Sequence, residues 1–205
     1  MHNMTPTLAK EQLMKIAPVK STACDLFIPY LNRYARKYEL TKEQYAAFLA
    51  QILHESGCFK HVKEIWGNTS YQKRYERDFN QDWRRGLPDG HRNYTAYNLG
   101  NAFEGDGKFF MGRGPLQITG RSNYAACSKA LFADDRLLRN PELLEVAEYG
   151  IAAAFWWCFD LKKLGDEFQT PEVEDETRII NGRRMLGLEE RREFKRRALH
   201  FFMIW

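Results

Sequence analysis

Between Thr41 and Ser56 the apolar residues Tyr45, Phe48, Leu49, Ile52 and Leu53 recur at i, i+3, i+4, i+7 and i+8. That spacing predicts one amphipathic helix with a single apolar face. Thr41 and Gln44 have the spacing of a capping box at its start, and Gly57 supplies a stop at its end. Leu8 to Ile16 and Cys24 to Tyr38 show the same periodicity, separated by Pro18. Asn140-Pro141 combines an N-cap residue with the proline favoured at the first helical position. It predicts a further helix, whose apolar run through Phe155, Trp156 and Trp157 marks it as buried and central. Glu189 to Ile204 reads as a terminal amphipathic helix. Residues 60–108 are polar, aromatic and turn-rich, and Phe109 to Thr119 has room for at most a small β-hairpin. The fold class is therefore mostly α.

The helix ending at Glu55 carries the first candidate chemistry. A carboxyl in the last turn meets unpaired carbonyls and the negative end of the helix dipole, which disfavour its charge. Such a group tends to keep its proton, as a general acid must. Glu64 lies nine residues on, past the glycine break. Two carboxyls separated by a turn are the minimum equipment for glycoside hydrolysis.

Three ordered motifs extend this picture. The first runs Phe48-Leu49-Ala50-Gln51-Ile52-Leu53-His54-Glu55-Ser56-Gly57-Cys58-Phe59. The second is Gly105-Asp106-Gly107 followed by Gly112 through Tyr124. The third is Ile179-Ile180-Asn181-Gly182-Arg183 with Gly187-Leu188 and Arg191. Together they resemble glycoside hydrolase family 19, in its small bacterial and phage endolysin branch, over roughly residues 10–200. The departures are Cys58 and Arg183 where the family has glycine, and a stretch near 78–98 that looks inserted.

The resemblance implies a lysozyme-like α-helical fold with a substrate cleft: one catalytic domain over 1–205, with helices in 1–40 and the family core in 41–200. It makes Glu55 the general acid, Glu64 the base and Thr119 the residue holding the attacking water. Glu76, in Arg74-Tyr75-Glu76-Arg77, competes for the second role; its other reading is a salt-bridged structural residue. By the same resemblance His54, Gln117, Asn123, Tyr124, Asn181 and Arg191 bind the sugar or order the acids. Amide side chains suit acetamido sugars because each pairs one donor with one acceptor. For Asn123 and Arg191 the plain alternative is capping or core hydrogen bonding.

The implied reaction is inverting hydrolysis of β-1,4 bonds between N-acetylmuramic acid and N-acetylglucosamine in peptidoglycan. The alternatives are a chitinase and a lytic transglycosylase, and a non-catalytic wall-binding protein is a more distant one. No cofactor is expected. His54, Cys58 and His61 lack a fourth ligand and the HExxH pattern, so no metal is expected either. The glycines at 105, 107, 112, 114 and 120 fit neither a dinucleotide fingerprint nor a P-loop.

At 205 residues, 44% of them hydrophobic and 14% aromatic, the chain has the composition of a folded soluble protein. Cys24, Cys58, Cys127 and Cys158 are too scattered for a disulfide scaffold. The N-terminus shows no signal-peptide pattern, and Gly150 to Phe159 is too short to span a bilayer. The expectation is a monomer without a membrane segment or nucleic-acid partner, made in the cytoplasm and acting on the wall after release. Formal charge is +4 but uneven: residues 178–197 hold eight bases against three acids, net +5. That run, including Lys195 and Arg196, is either a surface for anionic polymers or an ordinary solvated helix face.

Overall fold

The computed structural model describes residues 4–203. Met1, His2 and Asn3, the start of the segment searched for a leader, lie outside the described residues, as does Ile204. Ten α-helices occur among the described residues, together with short 3₁₀ turns and no regular strand. The fold is the mostly α, lysozyme-like class expected. No helix among the described residues is long and apolar enough to cross a membrane.

The packing separates into two compact units. One is built from the described parts of Met1–His61 and Ala154–Trp205, the other from Val62–Ala153. The first holds α1 (Lys10–Ile16), α2 (Ser21–Lys37), α3 (Lys42–Glu55), α9 (Glu174–Asn181) and α10 (Leu188–Phe202). The second holds α4 (Tyr94–Leu99), α5 (Asp106–Phe109), α6 (Arg121–Phe132) and α7 (Arg136–Arg139). The chain re-enters the first unit within α8 (Ala147–Phe155). Packing thus does not divide at residue 41, because α1 and α2 share a unit with α3.

Helix α3 begins with the capping box: Thr41 Oγ1 accepts from the Gln44 N–H at 3.2 Å, and the Thr41 N–H donates to Gln44 Oε1 at 3.0 Å. Its burial goes beyond the single apolar face predicted. Every residue from Tyr45 to Leu53 is buried, because Ala46, Ala47 and Ala50 fill the remaining sides with side chains too small to hold neighbours away. Phe48 packs on Phe155 with ring centroids 4.1 Å apart. Helix α2 contributes Cys24, Phe27, Leu31 and Ala35 and carries Pro29 on an exposed position. There the lost backbone donor is least costly.

Two expectations need correction. The helix opening at Asn140-Pro141 is a 3₁₀ turn over Pro141–Glu145. Extended backbone at Val146 then separates it from α8, which continues as a wide π-helical turn over Trp156–Leu161. Within the limit of at most a small hairpin near Phe109 to Thr119, the described residues form isolated bridges, Lys63 to Arg113 and Arg113 to Ile118.

The basic run is the second. Lys195 is buried and donates to Thr170 O at 2.8 Å, Glu172 O at 3.1 Å and Glu176 Oε2 at 3.3 Å. Arg191 is buried as well. Arg178, Arg192, Arg196 and Arg197 pair with Asp175, Glu174 and Glu189, and Glu193. Local acids therefore neutralise most of the run, and it does not form a broad cationic surface.

Truncating the centre of this packing tests the account. Phe48→Ala should lower stability by about 3–5 kcal/mol, the usual cost of removing a buried phenylalanine ring. A urea unfolding curve with a lower midpoint and unchanged slope would register it.

Candidate active site

The two candidate acids lie in different units, and each setting stands on its own contacts. Glu55 is the last residue of α3, with its side chain 20% exposed. Arg191, on α10, donates from one terminal nitrogen to Glu55 Oε1 and from the other to Gln51 Oε1, and from Nε to Leu186 O at 3.3 Å. Its side chain has no exposure at all. Asn181 ends α9; its Oδ1 accepts from the Leu186 N–H at 2.8 Å, which turns its Nδ2 toward Glu55 Oε1 at 3.4 Å. Both contacts fall on Oε1.

Behind Glu55 a buried polar chain continues inward. Gln51, one turn earlier on α3, donates from Nε2 to Glu176 Oε1 at 3.0 Å and to Thr177 Oγ1 at 3.1 Å. Glu176 then meets Lys195, one turn after Arg191 on α10. Burial pushes the Glu176 carboxyl up to about 7, against the pull of Lys195 and of the Gln51 hydrogen bond.

His54 is placed by α10 too. Its Nδ1 lies 2.5 Å from Glu190 Oε2. Gly187, at φ +72°, precedes α10 where any Cβ would come within 1.8 Å of the imidazole. Only glycine leaves room for that ring.

The second setting gathers around Gly112. Glu64 donates its backbone N–H to Gly112 O at 2.8 Å and accepts the Gly112 N–H on its side-chain Oε2 at 3.0 Å. Gln72 Nε2 donates to Glu64 Oε1 at 2.9 Å. A Cβ on Gly112 would sit 2.6 Å from Gln117 Oε1 and 3.2 Å from Thr119 Oγ1, so the missing side chain lets both lie over this backbone. The turn from Gly114 to Gln117 closes through Gln117 N–H to Gly114 O at 3.0 Å. It holds Gln117 at φ +53°, a strained conformation for a residue with a Cβ. Gln117 Nε2 also donates to Gly114 O, at 2.9 Å. Thr119 donates its hydroxyl to Gln117 O at 2.9 Å, and Asn123 Nδ2 bonds Thr119 O at 2.7 Å.

Arg113 anchors this loop from beneath. It reaches Glu145 Oε1 at 2.8 Å, Phe109 O at 2.8 Å and the Tyr124 hydroxyl at 3.1 Å. Burial works against the charge on Glu145, but the hydrogen bonds from Lys63 and Arg113 outweigh it and hold the carboxyl below its ordinary value.

Tyr124 departs from its expected part. It is fully buried and its hydroxyl donates to Met111 O at 2.7 Å, so it supports the loop from the core and cannot touch a sugar. Arg191, equally buried, acts on Glu55 and not on a ligand. Glu76 differs from the salt-bridged alternative: its Oε1 accepts the Lys108 backbone N–H at 3.0 Å. Among the described residues no cluster of His, Cys, Asp or Glu could hold a metal.

Gln51, Gln72, Glu176 and Glu190 are supporting residues that the sequence reading missed. Gln51 was accessible, since it precedes Glu55 by four positions and shares its helix face. The others depend on tertiary approach and leave no local signal.

The Glu176 environment generates a pH prediction. The unfolded chain has the ordinary value of 4.5 and the folded chain about 7. The contribution of Glu176 to stability is therefore fully present below pH 4.5 and is lost as pH rises through 7. Denaturant curves between pH 5 and 8 should show this fall in the native protein and a shallower one in Glu176→Gln. Breaking the chain at Arg191→Ala should cost about 3–5 kcal/mol at neutral pH, since the Glu55 carboxylate, only 20% exposed, and the buried Gln51 carbonyl both lose their donor.

Comparison with known proteins agrees with the three motifs. A family model described as class I chitinase, glycoside hydrolase family 19, matches residues 32–163. A glycosyl hydrolase family 19 domain-containing protein of Haemophilus influenzae is 35% identical over 170 residues, covering 74% of this chain and 76% of that one. Endochitinase 1 of Theobroma cacao is 33% identical over 118 residues, but the chain spans only 32% of its length. Chitinase C from Streptomyces griseus superposes with a TM-score of 0.60 at 20% identity, covering 97% of this chain and 94% of that one, a likeness of fold. Motifs, fold and relatives agree: the chain belongs to glycoside hydrolase family 19 and is a glycosidase acting on a polysaccharide.

Proposed function

We propose that this glycosidase is an endolysin-type enzyme that hydrolyses the β-1,4 bond between N-acetylmuramic acid and N-acetylglucosamine in bacterial cell wall. The observation that carries the reading is the pair of separately built carboxylates. Glu55 is held through one oxygen by Arg191 and Asn181, and Glu64 is held beside the Gln117 and Thr119 side chains at Gly112. In this reading Glu55 protonates the glycosidic oxygen through Oε2, the oxygen without those contacts. Glu64 takes a proton from water. Thr119, whose own proton is committed to Gln117 O, accepts a hydrogen bond from that water and so aims its lone pair at the anomeric carbon. The water enters opposite the leaving group, giving inversion with no covalent intermediate.

Peptidoglycan is favoured over chitin by the motifs shared with the phage branch and by the broader match to the Haemophilus protein than to the plant enzymes. Chitin is the second reading, favoured by the endochitinase names of several relatives.

Glu55→Gln should fold normally and lose roughly 10² to 10⁴ in turnover, the usual worth of general acid–base catalysis. Glu64→Gln should abolish cleavage, whereas Glu76→Gln should still cut glycan strands that lack peptide. Mass spectrometry of digested sacculi should find free reducing ends. Anhydro ends would transfer the protein to transglycosylase chemistry, and intact sacculi beside digested chitin oligomers would make it a chitinase.

A further inference from the structure

Within the second unit a pocket of about 570 Å³ is lined by Trp66, Asn68, Glu76, Lys108, Phe109 and Met111, with Gly105 and Arg113 completing it. Its walls are of two kinds. Trp66 and the half-exposed Phe109 ring give it apolar faces. Glu76 and Lys108 give it one carboxylate and one ammonium. Neither charge is spent on an opposite side chain: Glu76 accepts a backbone N–H, and Lys108 Nζ has no ion pair among the described residues. This differs from the local habit. Nearby Asp106 is tied to Arg121 at 2.6 Å, and Arg113 to Glu145. Gly107 helps to keep Glu76 in place, since a Cβ there would lie 2.8 Å from its carboxyl. Met111 and Arg113 flank Gly112, the residue that holds Glu64, so the pocket adjoins the proposed base.

An uncharged aminosugar meets a carboxylate and an ammonium only through neutral hydroxyl and amide groups and leaves both charges unpaired. A zwitterion gains from both, and more so against aromatic walls that displace water. We infer that this pocket binds the amino-acid stem carried by the muramic acid of peptidoglycan, with a stem ammonium at Glu76 and a stem carboxylate at Lys108. The inference rests on the peptidoglycan reading and deepens it: the enzyme selects peptide-bearing glycan through a site that chitin leaves empty.

The test is a titration of the protein with two soluble probes, followed by calorimetry or by amide shifts. One is the N-acetylglucosaminyl-N-acetylmuramyl disaccharide bearing a three-residue stem that ends in meso-diaminopimelate. The other is the same disaccharide without its stem, its lactyl carboxyl capped as the methylamide so that no charge takes the stem's place. The stem should tighten binding by roughly tenfold. Lys108→Met and Glu76→Gln should each remove that gain and leave affinity for the bare disaccharide as it was. Glutamine retains an acceptor for the Lys108 N–H, so the variant should keep the loop. A stem that adds no affinity overturns the inference. Equal weakening of both probes also overturns it and makes the pocket a sugar subsite. Cleavage is scored separately: uncut peptidoglycan beside digested chitin oligomers would defeat the proposed function, whereas the titration alone decides the pocket.

Discussion

The setting of Glu55 depends on one buried cation. The Arg191 guanidinium has no access to water, and its hydrogen bonds go to Leu186, Gln51 and Glu55. A buried charge is tolerated only when paired and fully hydrogen-bonded, which leaves α10 little freedom to slide along α3. The same fork that satisfies the arginine fixes the carboxylate it pairs with. Gln51 passes the constraint on to Glu176, and Glu176 passes it to Lys195, so two residues one turn apart on each long helix are locked together. Low dielectric strengthens every link of such a chain and raises the cost of breaking any one.

Glu64 is held by different means. Its partners are the Gly112 backbone and a single amide from Gln72, and nearby side chains crowd over a glycine. The first arrangement uses long side chains from helices far apart in sequence. The second uses short loops, a strained Gln117 and the absence of a Cβ. A loop with few regular hydrogen bonds can approach a ligand closely with its backbone, which a helix surface cannot do.

What was legible in the chain follows the range of the forces involved. Helix α3, its capping box and its stop at Gly57 are products of neighbours within four residues, and periodicity finds them. The residues gathered at Gly112 were legible only through motif resemblance, because nothing local says that Glu64 meets a backbone N–H 48 positions away. Burial was the weakest inference. Tyr124 and Lys195 carry polar ends that a linear reading places at the surface or in a cleft. Their actual partners, Met111 O and Arg113 for one and Glu176 with two carbonyls for the other, come from distant segments. The break at Val146 escaped because proline and asparagine start a 3₁₀ turn as readily as an α-helix.

The discontinuity of the first unit reaches into how the protein is made. Glu55 and Arg191 are separated by 136 positions, with all of Val62–Ala153 between them. During synthesis that middle stretch emerges whole and can collapse on local contacts, whereas the side of α3 that packs on α10 stays uncovered until α10 is made. Closing so long a loop costs entropy before any contact repays it, and non-local contacts of this kind slow folding. The acid therefore acquires its arginine last. A growing chain carries Glu55 without the partner that positions it until α10 has been made, so the carboxylate becomes ordered only after Arg191 has emerged.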